Sequence, residues 1–282
     1  MKTLTLPDFL FNGLLGLHAP AVAQIVSRRQ RMEARLAGAT VVKGGLAEVF
    51  APFFNQRRPV TIADGIARIH VHDVLGSDTT ELDRAFGMTD YAILSEELST
   101  AAANGDVRGI QLDVNSPGGT VVGCPETARL VEEVRARKPV AVHIGVMGCS
   151  CAYFLAAAAN VITVAPSALV GSVGTILTFY DLAGMLEQLG VAPHIFTPKA
   201  ADLKATCTED RAPTEAESGF LQQTVETAYA DFSGWVAAHR PRVGAASMRG
   251  QWFTGNEAVG NGLADYAGTI EDSLASLRAL IG

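Results

Sequence analysis

Gly109-Ile110-Gln111-Leu112-Asp113-Val114-Asn115-Ser116-Pro117-Gly118-Gly119 reads as an apolar strand running into a turn. Asn115-Ser116-Pro117 is expected to stop the strand. The two glycines that follow have no side chains, so backbone N–H groups can line a loop closely enough to hold an oxyanion. About thirty residues on, Gly148-Cys149-Ser150-Cys151-Ala152-Tyr153 sets a serine where an alanine-rich helix over 150–160 begins. Singly, each stretch is ordinary: Ser-Pro-Gly-Gly makes turns, and a serine before a helix is usually an N-cap. Together they point to acyl transfer, with Ser150 attacking the acyl carbon and backbone donors stabilising the tetrahedral intermediate.

Working outward, residues 66–71 alternate as a strand and 91–103 read as a helix. Downstream come a helix over 121–137, strands at 139–144, 161–164 and 173–177, a helix at 181–189 and a strand at 193–196. An irregular stretch at 197–213 follows. Thr214 with Glu217 three residues on makes a capping box that opens a long helix to His239. After Arg240-Pro241 there is a turn region around Trp252-Phe253-Thr254-Gly255, then a final helix. Strands alternating with helices at this spacing predict an α/β fold of repeated β-α-β units with a largely parallel sheet. Residues 1–58 read as an N-terminal arm and connector, with an amphipathic helix over 19–36, and residues 59–282 as one compact domain.

The 282 residues are 48% hydrophobic and 18% charged, with net charge -7 and a pI near 5.4. That balance fits a globular protein with a substantial core and does not favour nucleic acid as a partner. Residues 9–26 are apolar in tone but carry Asn12, His18, Pro20 and Gln24, so no stable membrane span is expected. Ala21-Val22-Ala23 has the form of a signal-peptide cleavage site, yet Pro7, Asp8 and Asn12 break the apolar stretch before it, and secretion is not expected. Cys124, Cys149, Cys151 and Cys207 lack zinc-ligand spacing and read as reduced, small core residues. A disulfide between Cys149 and Cys151 would strain the turn at Ser150. No metal and no cofactor is expected. A cysteine nucleophile is the alternative to Ser150, but no histidine lies close to it in sequence.

A serine hydroxyl needs a base. Of the six histidines, only His194 and His239 follow Ser150, and neither has an evident orienting acid in sequence. His143 sits inside an apolar strand and reads as core, and His70 and His72 read as facing solvent or a neighbouring subunit. Lys199 and Lys204 are the only lysines after Ser150, both in the irregular stretch. An amine acting as base near neutral pH needs desolvation; Leu203 and Ala205 flank Lys204 with apolar surface, while Asp202 would oppose it. The alternative is that both lysines are surface charges.

Residues 109–123, the run from Met147 through Ser150 to Gly171-Ser172-Val173-Gly174, and Thr254-Gly255-Asn256-Glu257-Ala258 with Gly262-Leu263-Ala264-Asp265 resemble the signal peptide peptidase A family of Ser-Lys peptidases, most closely its phage head protein C branch of capsid assembly proteases. The likeness covers about residues 60–280, with its motifs in order, and extends faintly to Leu6-Pro7 and Phe11-Asn12. It implies a ClpP/crotonase-like fold, Ser150 as nucleophile, a lysine base, and an oxyanion hole near Gly118 and Gly119 with the Cys151 backbone. Counting back from the capped helix selects Lys204 as base; Lys199 is the alternative. Ser172 matches a family serine that hydrogen-bonds the lysine. The chain reads Ser150-Cys151-Ala152 where the family usually has two small residues, and Thr197-Pro198-Lys199 where it has Ser-Gly before the base.

The expected function is thus a serine endopeptidase with a Ser-Lys dyad that processes phage or prophage head assembly proteins, its substrates peptides or proteins such as scaffold or portal. The expected location is the bacterial cytoplasm or a phage head precursor. Relatives imply a homo-oligomer. The alternatives are a cellular peptidase degrading signal-peptide remnants, a non-catalytic head component, and an acyl-CoA enzyme of the crotonase type, which shares the fold but relies on carboxylates.

Overall fold

The computed structural model describes residues 58–80, 83–84 and 88–282. The arm expected over 1–58 lies outside the described residues except for its last position. The rest divides into two compact units, residues 58–174 with 232–282, which hold the sheet, and residues 175–231.

In the larger unit the chain runs β1 (Thr61–Ala63), β2 (Ile66–Gly76), β3 (Met88–Asp90), α1 (Tyr91–Ala103), β4 (Gly109–Gly119), α2 (Cys124–Arg135), β5 (Val140–Cys149), α3 (Cys151–Ala157), β6 (Val161–Val164) and β7 (Leu169–Gly171). The sheet order β1-β2-β4-β5-β6 continues to β9 (Tyr266–Ala267). β2, β4, β5, β6 and β9 run parallel, as expected for β-α-β crossovers. β7 pairs parallel with β5 and antiparallel with β8 (Trp252–Thr254). The smaller unit carries α4 (Ala183–Gln188) and a 3-10 segment (Lys199–Ala205). α5 (Glu215–His239) begins in that unit and passes into the larger one at Phe232. α6 (Gly255–Gly260) and α7 (Ile270–Ile281) complete the fold.

Strand alternation sorts the two faces of the sheet. Ile69, Val71, Ile110, Leu112, Val114, Val142 and Ile144 join Leu94, Leu98, Ala128, Val131 and the alanines of α3 in the main core. On the other face Ile66, Ala141 and Val161 meet Leu277 of α7, where Ser273 Oγ donates to Gln111 Oε1 at 3.0 Å. α2 starts after Gly123, whose positive φ turns the chain, with a proline in its first turn where the missing N–H costs nothing.

Three expectations need correction. β4 does not stop at Asn115 but runs on to Gly119, because β2 stays paired with it beyond a bulge between His72 and Val74. The strand expected at 173–177 lies instead at Leu169–Gly171, ended by left-handed φ values at Gly171 and Ser172. Residues 193–196 form no strand: among the described residues nothing pairs with them, and Phe196 is 93% exposed.

Candidate active site

β5 delivers Ser150 at the end of an apolar strand, and α3 begins one residue later. The serine has φ 53 and ψ -130, a conformation L-residues avoid. It is held on both sides: Ser150 N–H donates to Gly171 O at 2.8 Å, and Ser150 O accepts from Phe154 N–H at 2.9 Å. Turning the chain this sharply between strand and helix presents the side chain at the turn, the arrangement of a nucleophile elbow.

Gly118 packs directly against it. A Cβ at Gly118 would stand 2.6 Å from Ser150 Cβ and 2.9 Å from Cys151 N, and φ is +99 there, so glycine is required twice over. At Gly119 a Cβ would meet Leu75 O at 1.8 Å. The Cys151 thiol donates to Gly119 O and Thr120 O, each at 3.4 Å, tying the start of α3 to the glycine loop. The structure therefore brings Ser150, Cys151, Gly118 and Gly119 together. The Gly118 N–H is already engaged, donating to Ser116 Oγ at 3.1 Å, and Ser116 Oγ in turn donates to Asp73 O. The N–H groups that open α3 have no intrahelical acceptor, as in any helix.

Ser172 follows Gly171 in the same unit and has φ 52; its N–H donates to Gln251 O at 2.8 Å. Lys199 and Lys204 belong to the smaller unit, on the 3-10 segment, and both are exposed. Beside Lys204, Ala205 is buried and Leu203 is exposed.

Cys149 and Cys151, the thiols on either side of Ser150, are both buried. Burial pushes the Cys149 thiol up to about 12. Cys151 is pulled down by a hydrogen bond from Cys124, but it is 6% exposed and bonded beneath the loop. All four cysteines are free, and Cys207 is exposed rather than a core residue as expected.

His239 does have an acidic partner: Nε2 lies 2.9 Å from Glu132 Oε1, while Nδ1 pairs with Trp235 O, so both ring nitrogens are occupied away from Ser150. His70 and His72 were expected to face solvent or a neighbour. They turn instead toward Asp113, with side chains 9% and 21% exposed. His143 is buried as expected, but its Nε2 has no partner among the described residues. His70, His72 and Asp113 bring three ligand atoms within 4.8 Å of one another. Sequence reading missed this cluster because the strands that carry it are separated by a helix and pair only in the sheet.

The sequence pattern of peptidase family S49 matches residues 132–282. A Methanocaldococcus jannaschii protein provisionally named a protease is 35% identical over 62% of this chain and 56% of its own length. The capsid assembly protease C of Escherichia phage lambda is 28% identical over 79% of this chain and 51% of its own. The head-tail preconnector protein GP5 of Enterobacteria phage P21 is 30% identical over 84% of this chain and 48% of its own. The chain thus spans about half the length of the curated relatives it matches. Among the described residues, no helix is long and apolar enough to cross a membrane.

Proposed function

The chain belongs to peptidase family S49, and from that premise we propose that it is a serine endopeptidase in which Ser150 is the nucleophile and Lys204, with Lys199 as the alternative, is the base. The observation that carries this reading is the constrained backbone of Ser150 at the junction of β5 and α3, pressed against Gly118. Ser150 Oγ attacks the scissile carbonyl carbon as its proton passes to the uncharged lysine amine. The oxyanion is met by backbone N–H groups of Gly119 and Cys151, since that of Gly118 is held by Ser116. Collapse breaks the C–N bond, the lysine returns its proton to the leaving amine, and water then hydrolyses the acyl-serine by the reverse proton route. Ser172 orients the lysine. An extended peptide lies as an added strand beside the Gly118-Gly119 loop.

The phage relatives favour head assembly proteins as substrates, in a homo-oligomer acting in a host cytoplasm or head precursor. A second reading is a cellular peptidase degrading signal-peptide remnants; the archaeal relative, named only as a protease, favours its cellular setting. The test is intact mass of the chain and of Ser150→Ala, Lys199→Ala and Lys204→Ala after incubation with a serine-directed covalent probe and a candidate head protein. Adduct and cleavage are expected for the unaltered chain and to be lost in Ser150→Ala and in one lysine variant. A folded chain that stays unlabelled and does not cleave would overturn the reading in favour of a non-catalytic head component.

A further inference from the structure

On the α7 side of the sheet a row of polar residues crosses four parallel strands. His70 of β2, Asp113 of β4, His143 of β5 and Thr163 of β6 are register partners in succession. Polar groups in such a place are normally paired, because burying one without a partner costs free energy. Yet His70 Nδ1, His72 Nε2, His143 Nε2 and Thr163 Oγ1 are all buried without a hydrogen-bond partner among the described residues. Asp113 Oδ2 lies 3.2 Å from His70 Nδ1 and 3.8 Å from His72 Nε2, but neither imidazole is aligned to hydrogen-bond it. Close approach without donor–acceptor alignment is how ligand atoms stand around a shared ion. With metal–nitrogen bonds of the zinc type, neighbouring ligands of a tetrahedron lie about 3.3 Å apart, close to both separations.

We propose that His70 Nδ1, His72 Nε2 and a carboxylate oxygen of Asp113 form a site for a divalent metal of the zinc class that clamps β2 to β4. Two imidazoles and one carboxylate suit zinc rather than magnesium or calcium, which take all-oxygen shells. Burial holds both imidazoles below their ordinary pKa against the opposing pull of Asp113. One group competes with the cation: Arg68 Nη2 donates to Asp113 Oδ2 at 2.8 Å. The Arg68 side chain is 36% exposed and its Nε has no partner, so it can swing to solvent and release that oxygen. The site adjoins the bulge after His72, where Asp73 O accepts from the Ser116 hydroxyl that also holds Gly118 N–H. A metal here braces the strand pair behind the glycine loop and takes no part in the peptidase chemistry. No local spacing joins β2 to β4, so the cluster leaves no motif in the sequence.

The test is equilibrium dialysis of the full, tag-free, chelator-stripped chain against Zn²⁺, with metal content read by atomic emission and the melting temperature recorded alongside. One zinc per chain and a higher melting temperature are expected. His72→Gln, checked for folding by circular dichroism, should weaken binding at least tenfold; Arg68→Met, which removes the competing donor, should tighten it. Cobalt in place of zinc should give the visible bands of four-coordinate nitrogen and oxygen ligation. Substoichiometric zinc, affinity unchanged in His72→Gln, weaker binding in Arg68→Met, or a thiolate-to-cobalt charge-transfer band would each overturn the proposal.

Discussion

Ser150 holds a backbone conformation that costs an L-residue on the order of 1–3 kcal/mol, and its cause is local: Gly171 O and Phe154 N–H fix both sides of the peptide. Relieving that cost should stabilise the fold. Ser150→Gly is expected to raise the unfolding free energy by about 1 kcal/mol over Ser150→Ala, with both inactive, in a denaturant titration of the pair. Gly118→Ala should act the other way. Its new methyl meets Ser150 Cβ at 2.6 Å, and cleavage should fall about a hundredfold, read as kcat/KM on a peptide substrate. The meeting of Ser150 with the glycine loop was legible because two local patterns, a glycine turn and a serine before a helix, mark its two sides. That the amide of Gly118 is turned to Ser116 was not, because the bond depends on the β2 bulge, some forty residues earlier. For Lys204 burial and exposure were both left open for a related reason: apolar neighbours in sequence do not say what covers a side chain in space.

The opening of α5 shows an element whose boundary the sequence states outright. Thr214 N–H donates to Glu217 Oε2 at 2.8 Å, and Glu217 N–H donates back to Thr214 Oγ1 at 3.3 Å. Thr214→Ala should cost about 1 kcal/mol, measurable as faster amide exchange in the first turn. Arg211 adds a two-pronged contact, its Nη1 and Nη2 each 2.7 Å from a Glu217 oxygen. The guanidinium first, and the Thr214 N–H second, hold the Glu217 carboxyl down to about 2. Since the folded value lies below the ordinary one, this stabilisation is full above about pH 4.5 and is lost as pH falls through about 2. Amide protection at the start of α5 should decline across that window, and Glu217→Gln should flatten the decline. Elements with such local signals were readable, including α1 to its first and last residue. The strands at 173–177 and 193–196 were misread because apolar composition does not supply the partner strand a ladder needs.

At the scale of the molecule, alternation of strand and helix was enough to give the parallel sheet, since crossover connections leave few other arrangements. It could not reveal Arg240, which is 7% exposed and joins distant segments. Its guanidinium donates to Ala157 O at 3.2 Å and Ala159 O at 2.9 Å and pairs with Asp265 Oδ2 at 2.8 Å, while the same Oδ2 accepts from Ile162 N–H. Arg240→Ala would remove the partner of a part-exposed carboxylate and of two carbonyls and should cost about 1–3 kcal/mol in a denaturant titration, with Arg240→Lys recovering part. The bond to Gly171 that steadies Ser150 has a further consequence. Among the described residues β7, which supplies it, pairs with β5 on one edge and on the other with β8, Trp252–Thr254, about a hundred residues after the serine in the chain. During synthesis, Ser150 leaves the ribosome well before the strand that steadies its support. On the reading proposed above, the growing polypeptide carries its nucleophile before that support is complete, and cleavage of neighbouring chains is expected only once translation has passed residue 254.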